Sequence, residues 1–231
     1  MKKIILSAAV LSLGTILAMA EEQKSNYSVT VDFPYTSKYT FRGQELGKDA
    51  LQPSIEATVS DFYFGVWTNQ PITKNADNEF DFYAGYKAKL NDAWSVDGGG
   101  TIYYYPEMNA SSGNKRSTFE PYVGINGNIK GVTPGVYVYR DIDLKTTTLQ
   151  GQVGYSFPMP QAGLTLDLSA NLGRVFADHG AEYNYVRFDA NLPYKLTDKA
   201  TIYAGAAYTN SDANGVKKDL LSYTVGLSVA F

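Results

Sequence analysis

One histidine and no cysteine set the first limit on the chemistry of this 231-residue chain. His179 stands between Asp178 and Gly180. A hydrolytic site built on histidine needs a serine or carboxylate within hydrogen-bond reach and a third group to orient the ring. Sequence neighbours alone meet none of these tests. His179 therefore reads as a solvated loop residue, and no enzyme activity is expected. The lack of cysteine excludes disulfides and thiolate metal sites. Asp77, Glu79 and Asp81 have the chemistry of a weak surface Ca²⁺ site, but a solvated acidic loop is the simpler reading. Neither a metal nor a cofactor is expected. Gly98-Gly99-Gly100 lacks the Lys-Ser/Thr of a phosphate loop and falls inside a strand pattern. Glycines there let a wall bend or a neighbouring side chain pack closely.

The remaining charges acquire meaning from the elements that carry them. Apolar residues alternate with period two in segments that recur about every 17 residues. The first runs Tyr27, Val29, Val31, Phe33, and the last runs Leu221, Tyr223, Val225, Leu227, Val229, Phe231. Between them lie segments starting at Pro53, Phe62, Phe80, Trp94, Phe119, Val132, Leu149, Leu164, Val186 and Ala200. This gives twelve candidate strands, an even number, as in bacterial single-chain barrels. Tight turns at Ser60-Asp61, Asn91-Asp92, Lys130-Gly131 and Thr197-Asp198, with the short link 158–163, alternate with polar and mostly longer links. The longer set is Thr36–Asp49, Asn69–Asn78, Pro106–Ser117, Asp141–Thr146, Phe176–Glu182 and Asn210–Asp219. The two classes overlap only at 141–146 and 158–163. Strands that cross a bilayer produce this alternation, with tight turns on the periplasmic side. The expected fold is an all-β, antiparallel transmembrane barrel of about twelve strands with both termini periplasmic.

The first twenty residues stand apart. Lys2 and Lys3, an apolar run Ile4–Leu17 and Ala18-Met19-Ala20 make a secretory signal peptide. Residues 1–20 are thus expected to be a leader for Sec export and 21–231 the outer-membrane barrel. No later run of eighteen apolar residues could form a transmembrane helix. The net charge of −3 argues against nucleic acid as a partner. Lipid and the barrel assembly machinery are the expected partners. The terminal strand Tyr223, Val225, Leu227, Val229, Phe231, alternating and ending on an aromatic, resembles the C-terminal signature of bacterial outer-membrane proteins that this machinery reads.

The alternation also predicts which charges face the lumen: Asp32, Glu56, Asp81, Lys87, Lys89, Asp97, Glu120, Asp167, Arg187 and Asp189. Acids outnumber bases there. Anion-selective pores need rings of Arg or Lys, so small porins for oligogalacturonate or sialate are a poor match. A narrow channel for small hydrophilic neutral or cationic solutes fits better. Two alternatives stay open: a structural or surface-interaction barrel without transport, and a soluble periplasmic barrel that binds a ligand. Charges paired across the lumen would equally serve to hold the barrel together. Tyr83, Tyr103, Tyr105, Tyr122, Tyr137, Tyr139 and Tyr203 fall on the same inward face. Interfacial girdle and lumen filling are the favoured roles for them over a stacking track for a ligand.

The segment Thr36-Ser-Lys-Tyr-Thr-Phe-Arg-Gly43 resembles the opening signature of a family of poorly characterised proteobacterial exported, porin-like proteins, Ser-x-Tyr-x-x-Arg-Gly. Ser37, Tyr39, Arg42 and Gly43 match it, and Gln44 follows. Phe62–Trp67 and Phe82–Tyr86 resemble later blocks of that family. The resemblance covers roughly residues 27–105 and departs at Glu45-Leu46, where the family has Ser more often. It implies an outer-membrane barrel and supplies no activity. Arg42, within the long first link, is the candidate for a lumen constriction or a loop anchor.

Overall fold

The computed structural model describes residues 27–73, 76–109, 115–161, 164–179, 182–215 and 218–231. The expected leader, residues 1–20, lies outside them. Thirteen strands form one antiparallel sheet that closes on itself: β1 (Tyr27–Phe41), β2 (Gln44–Leu51), β3 (Ser54–Val59), β4 (Phe62–Pro71), β5 (Glu79–Lys89), β6 (Trp94–Tyr104), β7 (Ser117–Gly127), β8 (Val132–Asp141), β9 (Thr146–Met159), β10 (Leu164–Ala177), β11 (Tyr183–Lys195), β12 (Ala200–Ser211) and β13 (Lys218–Ala230). Strands β2 and β3 are successive parts of one wall position, both paired with β1 and β4. The barrel therefore has twelve staves. Closure pairs β1 with β13 from Thr30↔Ala230 to Thr36↔Thr224. Phe231 extends the seam by donating its N–H to Val29 O at 2.9 Å and accepting from Val29 N at 3.2 Å.

Each of the twelve predicted segments falls within a strand, overrunning its end by at most one residue. Tight turns follow β3, β5, β7, β9 and β11 at one end, where both described termini also lie. Positive φ at Ser60, Lys130 and Gly131 marks two of these turns. The longer links gather at the other end. Outward positions carry exposed Phe33, Phe64, Phe82, Val123, Leu172 and Phe188 among many others. A continuous apolar outer band of this kind is solvated by hydrocarbon and not by water. Ring closure leaves the mid-barrel backbone internally hydrogen-bonded, which a lipid environment demands.

One expected loop is not a loop. The link 36–49 is largely strand, the outer half of β1 and nearly all of β2, closed by a two-residue turn at Arg42-Gly43. Both turn residues have positive φ, 42° and 83°, the geometry that matches the twist of a two-residue hairpin. Polar composition hid the strand, because this hairpin faces the lumen on both sides instead of lipid.

Candidate functional site

The hairpin leaves the wall at two marked places. On β1, pairing with β13 stops at Thr36, and the Tyr223 N–H then donates to Ser37 Oγ at 2.9 Å. On β2, the wall position breaks at Gln52-Pro53. Proline removes a backbone donor and restricts its neighbour, so it ends a ladder. The backbone stays tied there, through Gln52 N to Pro34 O at 2.8 Å and Thr68 N to Pro53 O at 3.0 Å. Between these points β2 pairs with β4 only at Ala50↔Pro71 and Leu51↔Gln70. The freed hairpin crosses the lumen toward the opposite wall.

Its tip docks there. Arg42 Nη1 and Nη2 donate to Glu120 Oε2 and Oε1 on β7, both at 2.7 Å. Both side chains are buried, at 4% and 2% exposure. Tyr103 OH also donates to Glu120 Oε1 at 3.0 Å. The guanidinium stacks at 4.6 Å from the Phe41 ring and 4.5 Å from the Tyr139 ring. Planar bidentate pairing with aromatic faces on the guanidinium is a set of contacts that lysine cannot reproduce. Gln44 Nε2 donates to Tyr183 OH at 2.8 Å, and Arg187 Nη1 on β11 donates to Thr40 Oγ1 at 2.6 Å. Gly43 faces Tyr185 and Ser211 so closely that an added Cβ would lie 2.6 Å from the Tyr185 Cβ. Tyr39 packs on Trp67 with ring centroids 5.4 Å apart. Ser37, Tyr39, Arg42 and Gly43 thus each perform a separate task in one object, an inward hairpin latched across the lumen.

The lumen wall carries a second arrangement, mostly toward the tight-turn end but including Tyr185 beside the latch. Six tyrosines lie opposite glycines of the adjacent strand: Tyr63↔Gly85, Tyr83↔Gly65, Tyr122↔Gly99, Tyr137↔Gly124, Tyr185↔Gly173 and Tyr203↔Gly226. At each glycine an added Cβ would fall within 2.6 Å of the tyrosine ring or hydroxyl. The missing side chain lets each ring lie along the wall instead of across the bore. The phenols then reach lumen carboxylates. Asp97 accepts from Tyr63 at 2.7 Å and from Tyr137 at 2.9 Å. Glu56 accepts from Tyr83 at 3.0 Å, and Asp32 from Tyr203 at 2.8 Å. Tyr63 and Tyr122 share a further hydroxyl–hydroxyl bond. Among the described residues the buried charges are six acids, Asp32, Glu79, Asp81, Asp97, Glu120 and Asp141, against one base, Arg42. The lumen therefore carries an excess of acidic over basic side chains.

A profile described as bacterial protein of unknown function (Gcw_chp) matches residues 20–229. The chain belongs to this family. No curated protein matches it. Among solved structures, the Gcw_chp chain is similar to the KdgM porin at 15% identity and a TM-score of 0.62, over 87% of this chain and 99% of that one. It is similar to the NanC porin at 18% identity and a TM-score of 0.56, over 87% and 98%. The KdgM porin in complex with disordered oligogalacturonate gives 15% identity and a TM-score of 0.59, over 88% and 99%. That is the solute class which the charge pattern argued against, and at these identities the likeness is one of fold.

The predicted lumen residues of the Gcw_chp chain separate by depth. Asp32, Asp81, Asp97 and Glu120 are buried, and Glu56, Asp167, Arg187 and Asp189 are half-buried. Arg187 pairs with Asp189 at 2.6 Å, so these two charges cancel locally. Lys87 and Lys89 share the inward register but are solvent-exposed at the tight-turn mouth, where Lys89 meets Asp92 at 2.8 Å. The terminal Tyr223, Val225, Leu227 and Phe231 are exposed on the outer face. The acidic surface cluster is corrected: Asp77 is exposed, whereas Glu79 and Asp81 are buried inside the barrel. No group of three metal-ligating side chains occurs among the described residues. His179 is exposed, and Asp178 beside it is held by Arg140 at 2.9 Å. The hydrogen bond from Arg140 keeps the Asp178 carboxyl below the usual carboxylate range. The Lys115 ammonium does the same for Asp143 in a neighbouring loop. Sequence reading missed Tyr63, Glu79 and Asp141 as lumen residues. The spacing Tyr63-x-Gly65, Tyr83-x-Gly85, Tyr122-x-Gly124 was the available signal for the first, since it places each pair on one face.

Proposed function

We propose that this protein is an outer-membrane channel for small hydrophilic solutes, neutral or cationic, with its bore set by the latched first hairpin. The observation that carries the reading is the crossing of the lumen by residues 37–50, fixed by the buried Arg42–Glu120 pair. A barrel needs no such element to close its wall, and twelve staves leave a bore that one hairpin can gate. The acid excess supports passage of cations over anions. The tyrosine–glycine wall supports an open bore below the hairpin, lined with hydroxyl groups that suit neutral polyols as well. Export by the Sec pathway after removal of residues 1–20, lipid as solvent, and insertion by the assembly machinery through the Tyr223–Phe231 strand belong to the same proposal. So does the absence of a catalytic step, since His179 and Asp178 lie in an exposed loop away from the lumen.

A sealed structural barrel is the competing reading, favoured by the dense aromatic packing of Tyr39, Phe41, Trp67, Tyr103 and Tyr105 at the long-loop end. Single-channel recording from purified protein in planar bilayers separates the two. The channel reading expects discrete steps under a KCl gradient with a reversal potential toward that of K⁺. Silence from correctly folded protein supports the sealed barrel.

A further inference from the structure

Beside the latch lies a second buried group, the carboxyls of Glu79 and Asp81, which no base among the described residues pairs. Glu79 and Asp81 share the inward face of β5 and are 3% and 1% exposed. Glu79 accepts from Tyr105 OH at 2.8 Å. Asp81 sits in register between Trp67 on β4 and Tyr103 on β6. Both of its carboxylate oxygens are buried and without a hydrogen-bond partner. The hydroxyl of Tyr39, carried in by the hairpin, lies against Glu79 and close to Asp81. Among the described residues neither acid forms an ion pair, and the nearby Arg42 is spent bidentately on Glu120.

A buried carboxylate with free lone pairs is costly unless a donor or a cation meets it. Ring faces of tryptophan and tyrosine attract cations, most strongly where water is excluded. Carboxylates and aromatic faces gathered at one point are complementary to an ammonium group. Its N–H bonds satisfy the carboxylate oxygens while its carbon substituent packs on the rings. We propose that Glu79 and Asp81, walled by Tyr39, Trp67 and Tyr103, form a binding site for a small primary alkylammonium ion at the constriction. The proposal rests on the cation-tolerant reading of the lumen and names the solute class that the constriction selects. Because Tyr39 rides on the hairpin, the site opens when the hairpin undocks and closes over its occupant when it docks.

Trp67 is part of the wall, and Trp94 is the only other tryptophan, so Trp94→Phe makes Trp67 the sole indole reporter. The full-length protein would be folded in a non-ionic maltoside detergent and titrated with ethylammonium chloride. 1-Propanol serves as the neutral match, and potassium chloride as the control for charge. A saturable change in Trp67 emission with ethylammonium alone is expected. In Asp81→Asn, shown to be folded by its unboiled gel mobility, half-saturation should move up by roughly ten- to a hundredfold, the loss of charged hydrogen bonds. If that variant does not fold, the three-solute comparison on the parent still decides. No saturable response, or equal responses to 1-propanol or to potassium, would overturn the site. Conductance separates this from the channel reading. Binding without conductance retains the site and removes the channel, whereas conductance without binding retains the channel and removes the site.

Discussion

Cutting the latch is the most informative single perturbation. Arg42→Ala removes two 2.7 Å charged hydrogen bonds and leaves Glu120 buried at 2% exposure with only Tyr103 donating to it. Breaking one partner of a buried ion pair costs about 3–5 kcal/mol. At about 1.4 kcal/mol per factor of ten, the ratio of undocked to docked hairpin rises by roughly one hundred to several thousandfold. The hairpin still keeps the Gln44–Tyr183 and Thr40–Arg187 bonds, worth about 1 kcal/mol each or somewhat more where charged. Planar-bilayer traces of Arg42→Ala should therefore show larger or longer-lived openings than the parent, with flicker where these bonds re-form. Arg42→Lys keeps the charge, loses the planar fork and should fall between the two. Replacing both partners, Arg42→Met with Glu120→Met, removes the unpaired charge as well as the bond. Such double replacements are often neutral, so closure should largely return. Identical traces from parent and Arg42→Ala, with both folded, would refute the latch. So would a double variant as open as the single one.

Other consequences are narrower. Gly85→Ala places a Cβ 2.3 Å from the Tyr63 ring, so the ring must swing into the bore. Unitary conductance should fall while the folded gel band persists at a cost of about 1–3 kcal/mol, and adding Tyr63→Ala should restore conductance. Asp97→Asn removes a lumen charge that two tyrosines orient and should shift the reversal potential away from that of K⁺. An unchanged potential would show that this carboxylate does not set selectivity. Deleting Phe231 removes the last two bonds of the β1–β13 seam and should lower the yield of assembled, heat-modifiable barrel. The Lys115–Asp143 anchor follows pH with a definite sign. Its carboxyl titrates below the ordinary 3.8 when folded, so its contribution is present above that value and lost as pH falls through the lowered one. Protease sensitivity of this loop should stay flat from about pH 8 to 5 and rise only below about pH 4.

The barrel was legible because lipid imposes a strict rule. Outward positions such as Phe64, Phe82 and Phe188 must be apolar, and alternation then reveals each stave. The inward hairpin obeys no such rule. Ser37 to Asp49 meets polar lumen on both faces, so its residues read as loop although most of them are strand. The turn gave some signal: Arg42-Gly43 is a pair in which glycine readily adopts positive φ, whereas arginine does so rarely, as Lys130 and Lys145 also do in turns of this chain. Glu120 was placed inward by its parity on β7. Its partner was out of reach, since no period links residues 42 and 120 in the chain. Glu79 was misread because it adjoins the polar link 72–78, and only the strand pairing shows that β5 begins at that residue. The tyrosines divide for a similar reason. Tyr86, Tyr155, Tyr194 and Tyr208 are exposed on the outer face, while Tyr83, Tyr122, Tyr137 and Tyr203 line the wall, and only the glycines opposite them mark the difference.

The central claim is that a negative, hairpin-constricted lumen conducts. Single-channel recording of the wild-type barrel under a tenfold KCl gradient tests it most directly. The account predicts small discrete steps with a reversal potential displaced toward that of K⁺. Folded, heat-modifiable protein that stays silent, or steps that reverse toward the potential of Cl⁻, would contradict it.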